Sequence, residues 1–321
     1  MNERELQDAV GRLPKSIEPP RDLWPGIEAR LGEGGGRRAR GWYWIPLAAA
    51  AALAGVLLGR GTANAPWRVS PLAGLPIVGS APLRTAGTLR VGQWVETDDS
   101  SRALIAVGWI GEVAVGRRTR IQLVVARPDE HRLALARGVI AAKVDAEPRL
   151  FFVETPAGTA IDLGCAYTLE MDSLGNGLLH VTAGVVEFEA GSRRAKVPMG
   201  ALVRTRPRIG PGIPYVEDAP EALRRALDTM DVKGALAAAR AEDAISLWHL
   251  LQRVDAPRRG QVYDRLASLV PPPPGVTRAA ALALEPEALD RYWTLIHRIL
   301  FRRLILRGVR DIDPRTGTTV R

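Results

Sequence analysis

One cysteine in 321 residues, Cys165, excludes an internal disulfide and any zinc site built on paired thiolates. The four histidines, His131, His180, His249 and His297, stand too far apart to form a metal-ligand motif, so neither a metal nor a cofactor is expected. Aromatic residues make up only 5% of the chain, too few to interleave with a basic groove, and no reading-helix motif is present, so direct nucleic-acid binding is not expected. The sequence also lacks GxGxxG after a strand, GxxxxGK[ST], GxSxG and HExxH, and it is not read as an enzyme. There is no block of five or six consecutive basic residues. The net charge of +9 comes from dispersed arginines, which permits contact with anionic surfaces without specifying one.

What is present is a chain long enough for more than one compact unit, with a conspicuous uncharged run. Trp42 to Gly59 holds 18 residues without charge, within the usual length of a membrane-spanning helix. Its larger aliphatic residues contribute roughly −2 to −3.5 kcal/mol toward insertion before Pro46 and the glycines reduce it. Trp42, Tyr43 and Trp44 suit the headgroup boundary. A buried Ala-rich helix is the alternative. Ala63-Asn64-Ala65 imitates a signal-peptidase site, but about forty residues precede the apolar run and Pro66 follows the site directly, so an uncleaved anchor is expected. Arg21, Arg30, Arg37, Arg38 and Arg40 precede the span, against Arg60 and Arg68 after it, which places the N-terminus in the cytoplasm and the rest outside, in a bacterial inner membrane. Ala51, Gly55 and Gly59 form a small-residue face through which two spans would approach as a homodimer.

The first forty residues are too few to bury a core of their own. Leu6, Val10 and Leu13 follow helical spacing, as do Trp24, Ile27 and Leu31 with Leu23 beside them, and the stripe is a candidate partner-binding surface. A disordered tail with incidental leucines is the alternative. The stretch "PPRDLWPGIEARL" resembles a segment found in short membrane-tethered proteins of the anti-sigma-factor class, without the His and Cys of their zinc-binding subtype.

From Thr85 to about Tyr215 short strand-like runs alternate with glycine, proline and Asp/Asn turns, as in an all-β sandwich or jelly roll, and residues 61–84 read as a linker. Period-two alternation from Ile161 to Met171 predicts one continuous strand with Ile161, Leu163, Cys165, Tyr167, Leu169 and Met171 buried and Asp162 on the wet face. Cys165 is then an inert packing residue rather than a reactive thiol. Gly175-Asn176-Gly177 predicts a hairpin, Pro156 ends a strand and sends the chain into the next layer, and Gly138 and Gly184 mark matching turns in a weak internal echo, "LALARGVIAAKV" and "LHVTAGVVEFEA".

The order of these segments, with Thr155, Pro156, Gly164, Gly184 and Val186 at the matching places, resembles the FecR domain; Cys165 stands where that family usually has threonine. The resemblance implies a periplasmic, non-enzymatic regulatory domain in a membrane protein that controls an extracytoplasmic-function sigma factor. Beyond Tyr215, residues 216–310 read as an α-helical module with stripes Leu223/Leu227/Met230 and Ile245/Trp248/Leu250/Leu251/Val254, and a last helix from Pro286 to Gly308, followed by a tail, 311–321. Trp248 and Trp293 are expected in its core, and Arg298, Arg302, Arg303 and Arg307 on a solvated face. The expected whole is a cytoplasmic head (1–40), one transmembrane helix (41–60), a FecR-like β domain (85–215) and a helical module that sense or relay an envelope signal. The alternative is an envelope scaffold binding another envelope protein or the cell wall.

Overall fold

The computed structural model describes residues 64–306. Residues 67–216 form two stacked sheets sharing one apolar core. The first sheet runs β4 (Gly87–Leu89), β1 (Trp67–Ala73), β6 (Arg102–Val107), β7 (Gly111–Val115), β9 (Glu130–Val144), β12 (Ala166–Met171), β13 (Gly177–Ala183), β16 (Ala201–Arg206), with β17 (Gly210–Pro211) and β18 (Tyr215–Val216) on its last edge. The second runs β3 (Ala81–Pro82), β2 (Ile77–Val78), β5 (Trp94–Glu96), β8 (Arg120–Arg127), β9 again, β10 (Phe151–Thr155), β11 (Gly158–Asp162), β14 (Val185–Ala190), β15 (Arg193–Pro198). Every pairing is antiparallel except β9 with β10.

Alternation explains the layers. In β6 Ala103, Ile105 and Val107 are buried while their neighbours are half-exposed, and β9 does the same with Leu133 and Leu135 on one side of Gly138 and Ile140 and Ala142 on the other. Gly138 is not a turn. It lies inside β9, where the strand leaves β8 and joins β7 and β12, and it takes φ +96° with Thr119 packed where a side chain would stand. Gly184, φ +70°, is its counterpart between β13 in the first sheet and β14 in the second. The internal echo therefore marks two strand crossings, not two turns.

Three further expectations are corrected. The described part of the expected linker 61–84 carries β1, β2 and β3, and Trp67 and Val69 are core residues; prolines and glycines mask a strand whose alternation is only two residues deep. The expected strand from Ile161 to Met171 is two strands, broken at Leu163–Cys165, and the bend brings Asp162 inside with 2% exposure. Pro156 does end a strand, but the chain reverses into a hairpin of the same sheet, where the Thr155 hydroxyl donates to the Gly158 carbonyl at 2.8 Å. At Gly175–Gly177 the β12–β13 hairpin closes with the Asp172 amide donating to the Asn176 carbonyl at 2.8 Å.

Residues 221–306 carry the helices α1 (Glu221–Asp228), α2 (Val232–Ala238), α3 (Ala244–Arg253), α4 (Ala256–Leu269), α5 (Arg278–Leu282) and α6 (Pro286–Leu306). Asp231 caps α2 by accepting from the Gly234 amide at 3.0 Å, and Thr277 caps α5 by accepting from Ala280 at 3.1 Å. Their core, with Leu223, Ile245, Trp248, Leu251, Leu266 and Tyr292, continues onto Tyr215 and Val216 of the sandwich. Met230 is 44% exposed and leaves the stripe assigned to it, since it lies beyond the end of α1. Arg303 is not on a solvated face: it donates to Asp218 at 2.8 Å, and Asp218 also receives Arg240 at its carbonyl. Among the described residues no helix is long and apolar enough to cross a membrane.

Candidate functional site

Edge strand β15 has a sheet partner on one side only, β14, and helix α3 lies along the other. Between them, floored by the start of α6, opens a cleft of about 680 Å³. The strand wall presents Arg193, Arg194 and Lys196, the helix wall His249, Gln252 and Arg253, the floor Leu289, and the far rim Met230 and Leu284. The hairpin "EAGSRRAK" places two arginines at the start of β15, and helical spacing of four puts His249 and Arg253 on one face of α3.

His249 is fully enclosed. Its Nε2 accepts the Lys196 backbone amide at 3.1 Å, so its Nδ1 carries the proton and donates to the Ile245 carbonyl at 2.9 Å. Burial pushes its pKa down to about 3, and the ring is a neutral strut. Trp248 packs edge-on against it at 4.8 Å and Trp293 lies 5.1 Å from Trp248, with the Trp248 indole donating to the Leu289 carbonyl at 3.1 Å. Lys196 Nζ donates to Asp290 at 3.0 Å. Arg253 donates to the Arg194 carbonyl at 2.9 Å, while burial and then the neighbouring Arg193 charge hold its pKa below the usual guanidinium range.

The residues singled out from sequence lie elsewhere. Thr155 and Pro156 form the β10–β11 tip. Gly164, φ +84°, donates its amide to Asp162 Oδ1 at 2.6 Å at the corner before β12, and its carbonyl abuts Gly184. Cys165 is buried beside them, its thiol pushed well up by burial and then by the neighbouring Asp162 carboxyl. Thr155 and Pro156 thus lie at a hairpin tip and Gly164, Cys165 and Gly184 together at a corner past the other end of β11, and none of the five lines the cleft. Leu23, Trp24, Ile27, Leu31, Ala51, Gly55 and Gly59 lie outside the described residues. The cleft residues were missed because they join a hairpin and a helix more than fifty positions apart; the one sequence signal was the pair Arg193-Arg194 after a turn.

No family model matches the sequence, and no curated protein matches it. Among solved structures, two crystal structures of a provisionally assigned anti-sigma factor from Parabacteroides distasonis are similar to this chain at 14% identity and a TM-score of 0.35. The matches cover 39% and 42% of this chain and 60% and 63% of theirs, so the chain spans about three-fifths of the length of the protein it matches.

Proposed function

We propose that the chain is a single-pass regulatory protein of the bacterial inner membrane, of the anti-sigma-factor type. Residues 1–40 hold an extracytoplasmic-function sigma factor in the cytoplasm, and the sandwich and helices stand on the exported side as the part that senses or relays a signal. The observation that carries this reading is the order along the chain. An uncharged run ends at Gly59, five arginines precede it, and β1 of a two-sheet sandwich begins at Trp67. The FecR-like positions Thr155, Pro156, Gly164 and Gly184 occupy strand reversals and crossings of that sandwich, which supports a resemblance of framework.

The test uses the whole chain. Co-expressed with the sigma factors of a bacterial host, it is expected to co-purify with one of them, and Trp24→Ala with Ile27→Asp is expected to abolish that capture while leaving membrane insertion intact. Alkaline phosphatase fused after Arg60 should be active and after Arg40 inactive. Capture that survives both substitutions favours an envelope scaffold with a passive head, and the reverse phosphatase pattern overturns the topology.

A further inference from the structure

We infer that the cleft between β15 and α3 binds an acidic segment of a partner polypeptide, its carboxylates held by Arg193 and Arg253 and its apolar side chains by Met230, Leu284 and Leu289. The first observation is uncompensated charge. Of the two carboxylates that line the cleft, Asp290 is matched by Lys196 and Glu187 is taken by Arg149 at 2.9 Å, and Arg194 shares Glu189 at 3.4 Å, so among the described residues no carboxylate lies within ion-pair distance of Arg193 or Arg253. Two guanidinium groups line the same cleft, one half-buried and anchored by a backbone carbonyl, and a carboxylate bound there would offset the repulsion between them.

The second observation is on the opposite rim. Met230 (φ +56°) and Leu284 (φ +58°) are the only non-glycine residues of the described helical region in the left-handed conformation, and both line this cleft. Each follows a helix end where glycine is usual, yet each keeps a long apolar side chain there. Backbone strain of this kind gathers at ligand sites. A rim of two apolar side chains facing a wall of arginine suits a ligand that alternates carboxylates with apolar groups. At about 680 Å³ the cleft falls within the range of roughly 300–1,000 Å³ for ligand sites, far more room than one small oxyanion needs. Trp248 and Trp293 are buried at 4% and 9% exposure and offer no open ring on which a nucleic-acid base would stack, which favours a polypeptide. All the lining residues lie within 187–290, so the site is independent of the membrane reading.

The test is fluorescence anisotropy on the full chain in detergent micelles, with a fluorescein-labelled octapeptide of alternating glutamate and leucine as probe. Binding is expected, weakening about tenfold when sodium chloride rises from about 50 to about 300 mM. Arg193→Glu and Arg253→Gln are each expected to weaken it by about tenfold or more, and Arg68→Glu, an exposed arginine on β1, to leave it unchanged. Arg193 is exposed, so its variant keeps the fold and decides the matter should Arg253→Gln unfold. Absence of binding, equal binding of a lysine–leucine octapeptide, indifference to Arg193→Glu, or displacement by an equimolar amount of sodium phosphate each overturns the assignment.

Discussion

The backbone amide of Lys196 donates to Nε2 of His249, and one turn along α3 the Arg253 guanidinium donates to the carbonyl of Arg194. One helical turn rises about 5.4 Å and two strand residues span about 6.8 Å, so a helix laid along an edge strand reaches alternate outward-facing backbone groups with side chains four apart. An uncovered edge is a template for pairing with another chain, and α3 closes this one with side chains instead of a further strand.

This strut makes the fold acid-sensitive. Burial holds His249 at about 3, against about 6.5 in the unfolded chain. Its contribution is complete above pH 6.5 and is lost as pH falls, because the unfolded chain takes up a proton that the folded one refuses until about pH 3. The maximal slope is about 1.4 kcal/mol per pH unit. His131, buried against Trp67 with neither ring nitrogen partnered, is shifted the same way by burial. His249→Ala should lower stability by about 1–3 kcal/mol at pH 7.5 by orphaning the Lys196 amide, and should flatten the fall in Tm between pH 6.5 and 4.5. A variant whose Tm falls as steeply as that of the unsubstituted chain would remove His249 as the source.

Asp162 works in the opposite direction. Burial raises its pKa to about 6, and its Oδ2 has no hydrogen-bond partner. Between pH 4 and 6 the unfolded carboxyl ionises while the folded one keeps its proton, so stability falls as pH rises through this window and stays lower above it. Asp162→Asn preserves an oxygen for the Gly164 amide and removes the buried charge. It is expected to stabilise by about 1–3 kcal/mol at pH 8 and to make no difference at pH 4, as read by urea unfolding at the two values. A loss of stability at pH 8 would show that the ionised carboxylate is wanted.

Asp162 also shows where the sequence was legible and where it was not. Alternation from Cys165 to Met171 assigned the buried face residue by residue, because a flat strand keeps its phase. The bend at Leu163–Gly164 resets that phase, and a pattern read through it put a buried carboxyl on the wet side. Gly138 and Gly184 were legible as glycine-only conformations but not as crossings, since a left-handed residue serves either purpose. Trp248 and Trp293 followed from helical spacing, and both are buried. The cleft was illegible, for Arg193 and Arg253 meet only after β15 has been placed at an edge and α3 laid against it.

For Cys165 the structure changes the order of two substitutions. On packing alone, serine is the poor choice, because it brings a hydroxyl needing a partner to a buried face. Here the Asp162 carboxyl lies beside the thiol, and it offers a serine hydroxyl an acceptor. Cys165→Ala should therefore cost more than Cys165→Ser, by about 1 kcal/mol, in thermal unfolding at neutral pH. Burial raises the thiol pKa far out of the reactive range, so the native protein should resist thiol reagents until it unfolds. Rapid labelling of the folded chain would show that this corner opens.

The crossing at Gly184 should tolerate no side chain at all. A Cβ there would sit 2.2 Å from the Gly164 carbonyl oxygen and 3.0 Å from the Cys165 side chain, on a backbone with φ +70°. The carbonyl belongs to the corner that feeds β12, and Gly184 itself hands the chain from β13 to β14, so neither backbone can yield without unpairing a strand. Gly191 is the control: φ is +58°, equally left-handed, but at the β14–β15 tip nothing lies within 4 Å of the place a Cβ would take. Conformational strain alone costs about 1–2 kcal/mol, and Gly191→Ala should show that and no more. Gly184→Ala adds a backbone clash and should cost about 4 kcal/mol or more, enough to prevent accumulation of folded protein. The two variants compared by chemical denaturation separate strain from crossing geometry, and equal losses at both positions would mean that the two sheets do not approach at Gly184 as described.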